Sequence, residues 1–244
     1  MLIVCLHGFL GRGADWRPVT RLLDPGAALW QPDLLSPGPL SPELSIEAWT
    51  QRFLSQLEPK ARGHERVVLC GYSMGGRLAL HALRAAPHRF TLALIASARP
   101  RLEVSAMASR RAWERRWAAR FLADPWPDVI EAWNALPVFQ GGGAPPARRA
   151  GDFDRALLAA ALERWSPREH SPELTIPGAL PAYILWAYGE RDQRYAAIAR
   201  QLASGPEPAK VMTIKGAGHR LLSDAPKALA RALIAHARSL DSAW

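Results

Sequence analysis

A serine set between glycines is the residue of this 244-residue chain whose surroundings point most clearly to chemistry. It is Ser73, in the Gly-Tyr-Ser-Met-Gly stretch at 71–75, where the small residues let a strand and a helix approach closely. The pattern is typical of a nucleophile elbow, a sharp strand-to-helix turn that exposes a serine hydroxyl. The apolar run at 66–70 predicts the strand before this turn, and the spacing at 74–86 predicts the helix after it.

An acid and a histidine that could activate Ser73 follow it in the chain. Asp192 comes directly after a predicted strand, and His219 sits in a loop of small residues after the last predicted strand. We expect His219 to withdraw the serine proton and Asp192 to fix the tautomer of the imidazole. Glu190, two residues earlier, is an alternative acid, and Asp224 is a more distant one.

Two turns are expected to supply backbone donors for a developing oxyanion. The first strand-like run of the chain ends in His7 and a glycine-rich turn, which can direct a backbone N–H toward Ser73. We predict that the N–H groups of Phe9 and Met74 form the oxyanion hole. His7 is interpreted as a packing residue that fixes the turn.

The elements that must position these residues alternate between strand-like runs and helical patterns. Strands are predicted at 2–6, 66–70, 91–96, 183–188 and 210–214. Helices are predicted at 16–23, 46–57, 74–86, 195–202 and 226–240. This alternation favours an α/β fold with a mostly parallel sheet flanked by helices.

Between Arg99 and Pro181 the strand pattern stops, and the segment is rich in Arg, Trp and Ala with helical spacing. We interpret 99–181 as a helical cap inserted into a core made of 1–98 and 182–244, within a single domain overall. Cap helices are predicted at 105–121, 128–136 and 153–165, with a glycine-rich break at 140–146. The cap tryptophans are expected to pack together, and Trp133 is also a candidate for lining the pocket.

Composition argues against several other classes of protein. No apolar run approaches the roughly 20 residues that span a bilayer, and the first residues lack the basic flank of a signal peptide. We therefore expect a cytoplasmic protein with no membrane partner. Cys5 and Cys70 fall on predicted buried strands, and the histidines lack metal-ligand spacing, so no disulfide, metal or cofactor is expected.

The net charge of +9 is carried almost entirely by arginine and is accompanied by no nucleic-acid-binding motif. We therefore predict no nucleic-acid partner. Arginine forks suit carboxylates, so some of these residues are candidates for holding a small anionic substrate. The oligomeric state does not follow from these patterns.

With these residues placed, the chain resembles the α/β-hydrolase superfamily and, within it, the family of 2-succinyl-6-hydroxy-2,4-cyclohexadiene-1-carboxylate synthases (MenH). The resemblance runs over nearly the full length and includes the order Ser73, Asp192, His219. Its further motifs are the stretches at 6–11, 71–77, 137–139, 189–192 and 217–219.

This resemblance implies a lyase of menaquinone biosynthesis. The triad would remove a proton from a substrate with several carboxylates, and pyruvate would leave by elimination without hydrolysis of an ester. The carboxylate-binding arginines of the family map onto Arg77, Arg110 and Arg149, and Trp133 is expected beside them.

Two alternatives remain at this point. One is a serine carboxylesterase of the same fold that acts on a small or carrier-bound acyl ester. The other is a binding protein that keeps the fold without catalysis.

Overall fold

The computed structural model describes residues 1–100, 102–169, 184–204 and 210–241. Its strands are β1 (Leu2–Leu6), β2 (Ala28–Trp30), β3 (Val67–Tyr72), β4 (Leu92–Ala96), β5 (Ile184–Gly189) and β6 (Lys210–Ile214). Together they form one sheet in the order β2-β1-β3-β4-β5-β6. Each pair of neighbours is parallel, so the carboxyl ends of the strands, and the loops that follow them, lie at one edge of the sheet.

Helices connect the strands on both faces of the sheet. In chain order they are α1 (Arg17–Thr20), α2 (Ile46–Ala61), α3 (Met74–Ala85), α4 (Met107–Ala123), α5 (Trp126–Asn134), α6 (Arg155–Arg164), α7 (Gln193–Ala203), α8 (Leu221–Asp224) and α9 (Pro226–Asp241). Of these, α4, α5 and α6 lie between β4 and β5, in the segment interpreted as the cap. Among the described residues, no helix is both long enough and apolar enough to cross a membrane.

The predicted α/β fold, a parallel sheet flanked by helices, is confirmed. Five strands lie within two residues of their predicted bounds, whereas β2 was missed because three residues at an edge carry no readable period. Helix α1 covers only part of the predicted 16–23, since the chain turns after Thr20. Residues 170–183, which include the predicted end of the cap, lie outside the described residues.

Side chains that alternate along the strands build two separate parts of the core. On β1, Leu2, Val4 and Leu6 belong to the cluster that contains the apolar faces of α2, α3 and the cap helices. Ile3 and Cys5 point to the opposite face, where the cluster contains residues of α1, α8 and α9. This two-residue period is the reason that a single strand can bury both faces.

Aromatic rings join the cap to the turn that follows β1. The ring of Phe9 lies 4.8 Å from that of Trp133 and 5.4 Å from that of Phe121, measured between centres. Trp117 meets Trp133 edge-on at 4.9 Å. Edge-to-face and tilted contacts at such distances are favourable, so the cap and the turn after β1 share one packed cluster.

Helix α3 begins in close contact with the end of β1. A Cβ atom added to Gly75 would lie 2.3 Å from the carbonyl oxygen of Leu6 and 2.5 Å from that of His7. A Cβ on Gly71 would lie 2.6 Å from the carbonyl oxygen of Gly75. Only glycine permits backbones to approach this closely, which explains the composition of the turn.

We predict that Gly75→Ala lowers the free energy of unfolding by about 1–3 kcal/mol, because the added methyl must displace backbone. Gly151→Ala is the matched control, since a Cβ there meets no atom within 4 Å, and its effect should stay within about 0.5 kcal/mol. Denaturant unfolding measures both. Equal stabilities of the two variants would contradict the packing described for α3.

Candidate active site

Ser73 occupies a strained position between β3 and α3. Its φ of 52° and ψ of −110° lie outside the regions that non-glycine residues normally adopt. Two hydrogen bonds hold it there: its N–H donates to the carbonyl of Ala96 at 2.9 Å, and the N–H of Arg77 donates to its carbonyl at 3.2 Å. Strain of this kind persists where the surroundings enforce it and is concentrated at functional sites.

The structure brings Ser73, His219 and Asp192 together. The Oγ of Ser73 lies 3.2 Å from Nε2 of His219, and Nδ1 of His219 lies 2.7 Å from Oδ2 of Asp192. The carboxylate can only accept, so Nδ1 carries the proton and Nε2 presents its lone pair to the serine hydroxyl. Both His219 and Asp192 are buried, and Oδ1 of Asp192 accepts the N–H of Tyr195 at the start of α7.

Glu190, the alternative acid, is on the outer side of the histidine loop. It is exposed, and its Oε2 accepts the backbone N–H of Gly216 at 2.9 Å. It is therefore a brace on the loop and has no contact with the imidazole among those described.

Asp224, the more distant alternative, has a role that the sequence did not indicate. Its Oδ2 accepts the N–H of Gly218 at 2.9 Å and its Oδ1 accepts the N–H of Gly143 at 3.1 Å. The backbones also touch here, because a Cβ added to Gly218 would lie 2.7 Å from the Cα of Gly142. The carboxylate thus connects the histidine loop to the glycine-rich break of the cap.

Arg220 makes a second connection between the histidine loop and the cap. Its Nη2 donates to Oδ1 of Asn134 at 2.6 Å, and its guanidinium lies 4.0 Å from the centre of the Phe139 ring. The Phe139 ring in turn lies 5.7 Å from the ring of His219. The residue next to the imidazole is therefore held by the cap, which limits the positions that the imidazole can take.

His7 fixes the turn that faces Ser73, as its interpretation as a packing residue requires. It is fully buried; its Nδ1–H donates to the carbonyl of Gly8 at 2.8 Å, and its Nε2 accepts the N–H of Leu34 at 2.8 Å. Burial lowers the pKa of His7, which favours the neutral ring that this pairing needs. A Cβ on Gly8 would lie 3.4 Å from the Cβ of Ser73, so the turn passes directly beside the serine.

A cavity of about 550 Å³ lies against Ser73 and His219, beneath the cap. Of the residues predicted from the sequence, the cavity is lined by Phe9, Ser73, Met74, Arg77, Arg110, Trp133 and His219. Asp192 is behind His219 and does not line it. The predicted oxyanion residues, Phe9 and Met74, thus lie at the same end of the cavity as the serine.

Arg77 stands one helical turn after Ser73 and enters the cavity wall. Its Nη2 donates to the carbonyl of Trp165 at 2.7 Å. Its Nε–H is buried and finds no acceptor among the described residues. Burial lowers the pKa of Arg77 to about 10, so the guanidinium keeps its charge at neutral pH.

Arg110 is oriented by a buried carboxylate. Its Nε donates to Oε1 of Glu114 at 2.6 Å, and its guanidinium lies 4.3 Å from the centre of the Trp113 ring. Glu114 is fully buried and also accepts from Ser166 Oγ at 2.6 Å and Arg168 Nε at 2.9 Å. The sequence did not single out Glu114, whose partners lie up to 54 residues away.

The structure does not bring Arg149 to the cavity. Arg149 is exposed, whereas its neighbour Arg148 forms a two-bond ion pair with Asp15 at 3.0 and 2.6 Å. Arg148 lines a smaller cavity of about 250 Å³, which shares Phe9 and Trp133 with the larger one.

No group of histidine, cysteine and acidic side chains in the described ranges is arranged to hold a metal ion. Cys5 and Cys70 face each other across the β1–β3 register as buried free thiols. The contact of Ser73 with His219 offers the chemistry of an activated serine hydroxyl, used either as a nucleophile or as a relay that removes a proton.

The assignment of the triad acid is tested by the reaction of Ser73 with an organophosphonate. Asp192→Asn should slow this reaction by roughly a thousandfold or more, because an amide no longer holds the required tautomer of His219. The asparagine side chain keeps an oxygen that can accept the N–H of Tyr195 at the start of α7. Glu190→Gln is the matched control and should react within about twofold of the unmodified protein, since Glu190 braces only the outer loop. Slowing by Glu190→Gln alone would overturn the assignment.

Comparison with known proteins places this geometry in a family. A model of the alpha/beta hydrolase family matches residues 3–232. The 2-succinyl-6-hydroxy-2,4-cyclohexadiene-1-carboxylate synthase of Yersinia pseudotuberculosis serotype O:3 (strain YPIII) is 31% identical in an alignment that covers 96% of this chain and 86% of the relative.

Solved structures share the same fold. MenH from S. aureus superposes with a TM-score of 0.84 at 20% identity, over 99% of this chain and 94% of that one. A malate-bound thermophilic esterase from Thermogutta terrifontis superposes with a TM-score of 0.72 at 21% identity, over 98% of this chain and 90% of that one. The chain therefore belongs to the alpha/beta hydrolase family of enzymes, where its curated relatives include 2-succinyl-6-hydroxy-2,4-cyclohexadiene-1-carboxylate synthases.

Proposed function

We propose that this enzyme is a carbon–oxygen lyase of menaquinone biosynthesis that forms 2-succinyl-6-hydroxy-2,4-cyclohexadiene-1-carboxylate by elimination of pyruvate. The identity of 31% to a synthase over most of both chains supports this reaction. The proposed substrate is a free small anion, and we propose the cytoplasm as the location. We also propose that the reaction needs no cofactor.

The charge of Arg77 in the cavity wall is the observation that carries the proposal. The guanidinium keeps its charge at neutral pH, and among the described residues no carboxylate forms an ion pair with it. A substrate carboxylate in the cavity would balance this charge one helical turn from Ser73. A neutral ester would leave it unbalanced.

The proposed reaction begins at the ring carbon that bears the succinyl group. Its proton is acidified by the adjacent ketone and passes to Ser73 Oγ while the serine proton passes to Nε2 of His219. The C–H electron pair forms a new double bond between this carbon and its ring neighbour, the existing ring double bond moves to the carbon that bears the enolpyruvyl group, and the bond from that carbon to the enolpyruvyl oxygen breaks. The departing enolate takes the proton from His219 and becomes pyruvate, which restores Ser73 and His219 to their starting states.

Negative charge develops on the ketone oxygen during proton removal. In the proposed pose this oxygen faces the backbone N–H groups of Phe9 and Met74, the two residues that line the cavity beside Ser73. Preorganised donors of this kind stabilise such charge more strongly than water does, because they need no reorientation. The hydrogen bonds of His7 to Gly8 and Leu34 keep the first of these turns in place.

Hydrolysis of a carboxylic ester is the second candidate function. The strained Ser73 and its 3.2 Å contact with His219 suit nucleophilic attack as well as proton removal. The two functions differ in their need for Arg77, because an uncharged ester makes no use of a buried cation.

Pyruvate release from freshly generated 2-succinyl-5-enolpyruvyl-6-hydroxy-3-cyclohexene-1-carboxylate tests the proposal. After correction for spontaneous decay, we expect release well above background with the unmodified enzyme and a loss of roughly a thousandfold or more in Ser73→Ala. The folded enzyme releasing no pyruvate while it cleaves simple esters would reject the lyase in favour of the esterase. A folded protein that does neither would favour a binding protein without catalysis.

Arg77→Gln separates an acidic substrate from a neutral one. We expect kcat/KM for the acidic substrate to fall by roughly 10- to 100-fold, the loss expected when a charge-assisted hydrogen bond is removed. Turnover of p-nitrophenyl acetate should change less than about threefold, because that ester presents no carboxylate. Arg84→Gln, an exposed position on the same helix, is the control. Equal losses on both substrates would mean that Arg77 serves the structure of the turn and not substrate charge.

A further inference from the structure

Three arginines that nothing above assigns line the same cavity as Ser73: Arg116 on the cap helix α4, and Arg99 and Arg194 beside the sheet. Arg99 follows β4 by three residues, and Arg194 is the second residue of α7. The two come from neighbouring strand ends, so the parallel sheet brings them to one side of the cavity.

The ring of Tyr195 contacts both Arg99 and the catalytic histidine, His219. The ring of Tyr195 lies 4.7 Å from that of His219, and the guanidinium carbon of Arg99 lies 5.8 Å from the centre of the same Tyr195 ring. Arg99 is therefore one ring contact removed from the imidazole. A carboxylate bound by Arg99 would therefore lie apart from the Ser73 hydroxyl, at the far end of a ligand whose other end reaches Ser73.

Other arginines near the two cavities form ion pairs with carboxylates, whereas Arg99 and Arg194 do not in the part of the chain that the structure describes. Arg110 is paired with Glu114 and Arg148 with Asp15. Within the described ranges, no carboxylate forms an ion pair with Arg99 or Arg194.

Arg194 is exposed overall, but partial burial and the positive charges of Arg99 and Arg110 lower its pKa, and Tyr195 and the carboxylate of Asp192 offset only part of this. Like charges gathered at one cavity wall raise the local potential and favour an anion there.

We propose that Arg99 and Arg194 form a second anion subsite, which binds the terminal carboxylate of a flexible acyl arm. This subsite rests on the proposed function for the identity of the arm, which is the succinyl chain of the substrate. Its ketone belongs at the oxyanion turn, and its carboxylate lies two methylene groups farther on. Arg77 and Arg110 are then left for carboxylates nearer the ring, so the four arginines divide the substrate's charges between two places.

The test uses a small dicarboxylate, so that it does not depend on lyase activity. Glutarate and butyrate are compared as ligands that protect Ser73 from organophosphonate labelling. We expect glutarate to protect at lower concentration than butyrate, and Arg99→Gln and Arg194→Gln to raise its half-protecting concentration roughly tenfold or more. Protection by butyrate and the labelling rate without ligand should stay within about twofold.

Two further variants make the test specific. Arg200→Gln, exposed on the same helix as Arg194, should leave glutarate protection unchanged. Arg99→Lys, which keeps the charge, should retain part of it. Equal protection by glutarate in Arg99→Gln, Arg194→Gln and Arg200→Gln would overturn the subsite, as would absence of any preference for glutarate in the unmodified protein.

The same variants keep this inference separate from the proposed function. If pyruvate is released, Arg99→Gln and Arg194→Gln should raise KM roughly tenfold while kcat changes less than about twofold, because they bind a remote group. If no pyruvate is released but the glutarate preference responds to the two arginines, the proposed reaction fails and the dicarboxylate subsite remains.

Discussion

The close approach of α3 to the end of β1 is the constraint on which the rest of the site depends. Gly75 lies where any side chain would collide with the carbonyl groups of Leu6 and His7. This contact puts the strained Ser73 beside the turn that contains Phe9, so the hydroxyl and the expected oxyanion donors share one location. The parallel sheet then delivers Asp192 and His219 to the same edge from β5 and β6.

The cap and the histidine loop behave as one connected unit in this structure. Asp224 joins backbone amides of both, and Arg220 reaches from the residue after His219 to Asn134. The aromatic cluster around Trp133 fastens the cap to the turn after β1 as well. The cap therefore covers the cavity and also contacts the two loops that contain Phe9 and His219, so its position and the alignment of His219 with Ser73 are physically linked.

Local patterns were enough to predict most of the scaffold and the three residues, Ser73, Asp192 and His219, that the structure brings together. Ser73 lies in a motif whose glycines are required by the close approach of α3 to β1. Asp192 and His219 follow strands that are apolar enough to be recognised in the sequence. The features that were missed depend on distant partners. Asp224 acts on Gly143, 81 residues away, and Arg99 and Arg194 are charged residues outside any periodic pattern.

Glu114 has a consequence that reaches beyond its own contacts. It does not line the cavity, yet it is fully buried and shared by Arg110, Ser166 and Arg168. A buried carboxylate of this kind cannot be screened by solvent, so it subtracts a full charge from the wall in front of it. A change at this one hidden position would alter the electrostatic potential in the cavity, and it would also release Arg110 and Ser166, which line the cavity and are held by this carboxylate. Selectivity among anions can thus drift in this fold through residues that no ligand ever touches.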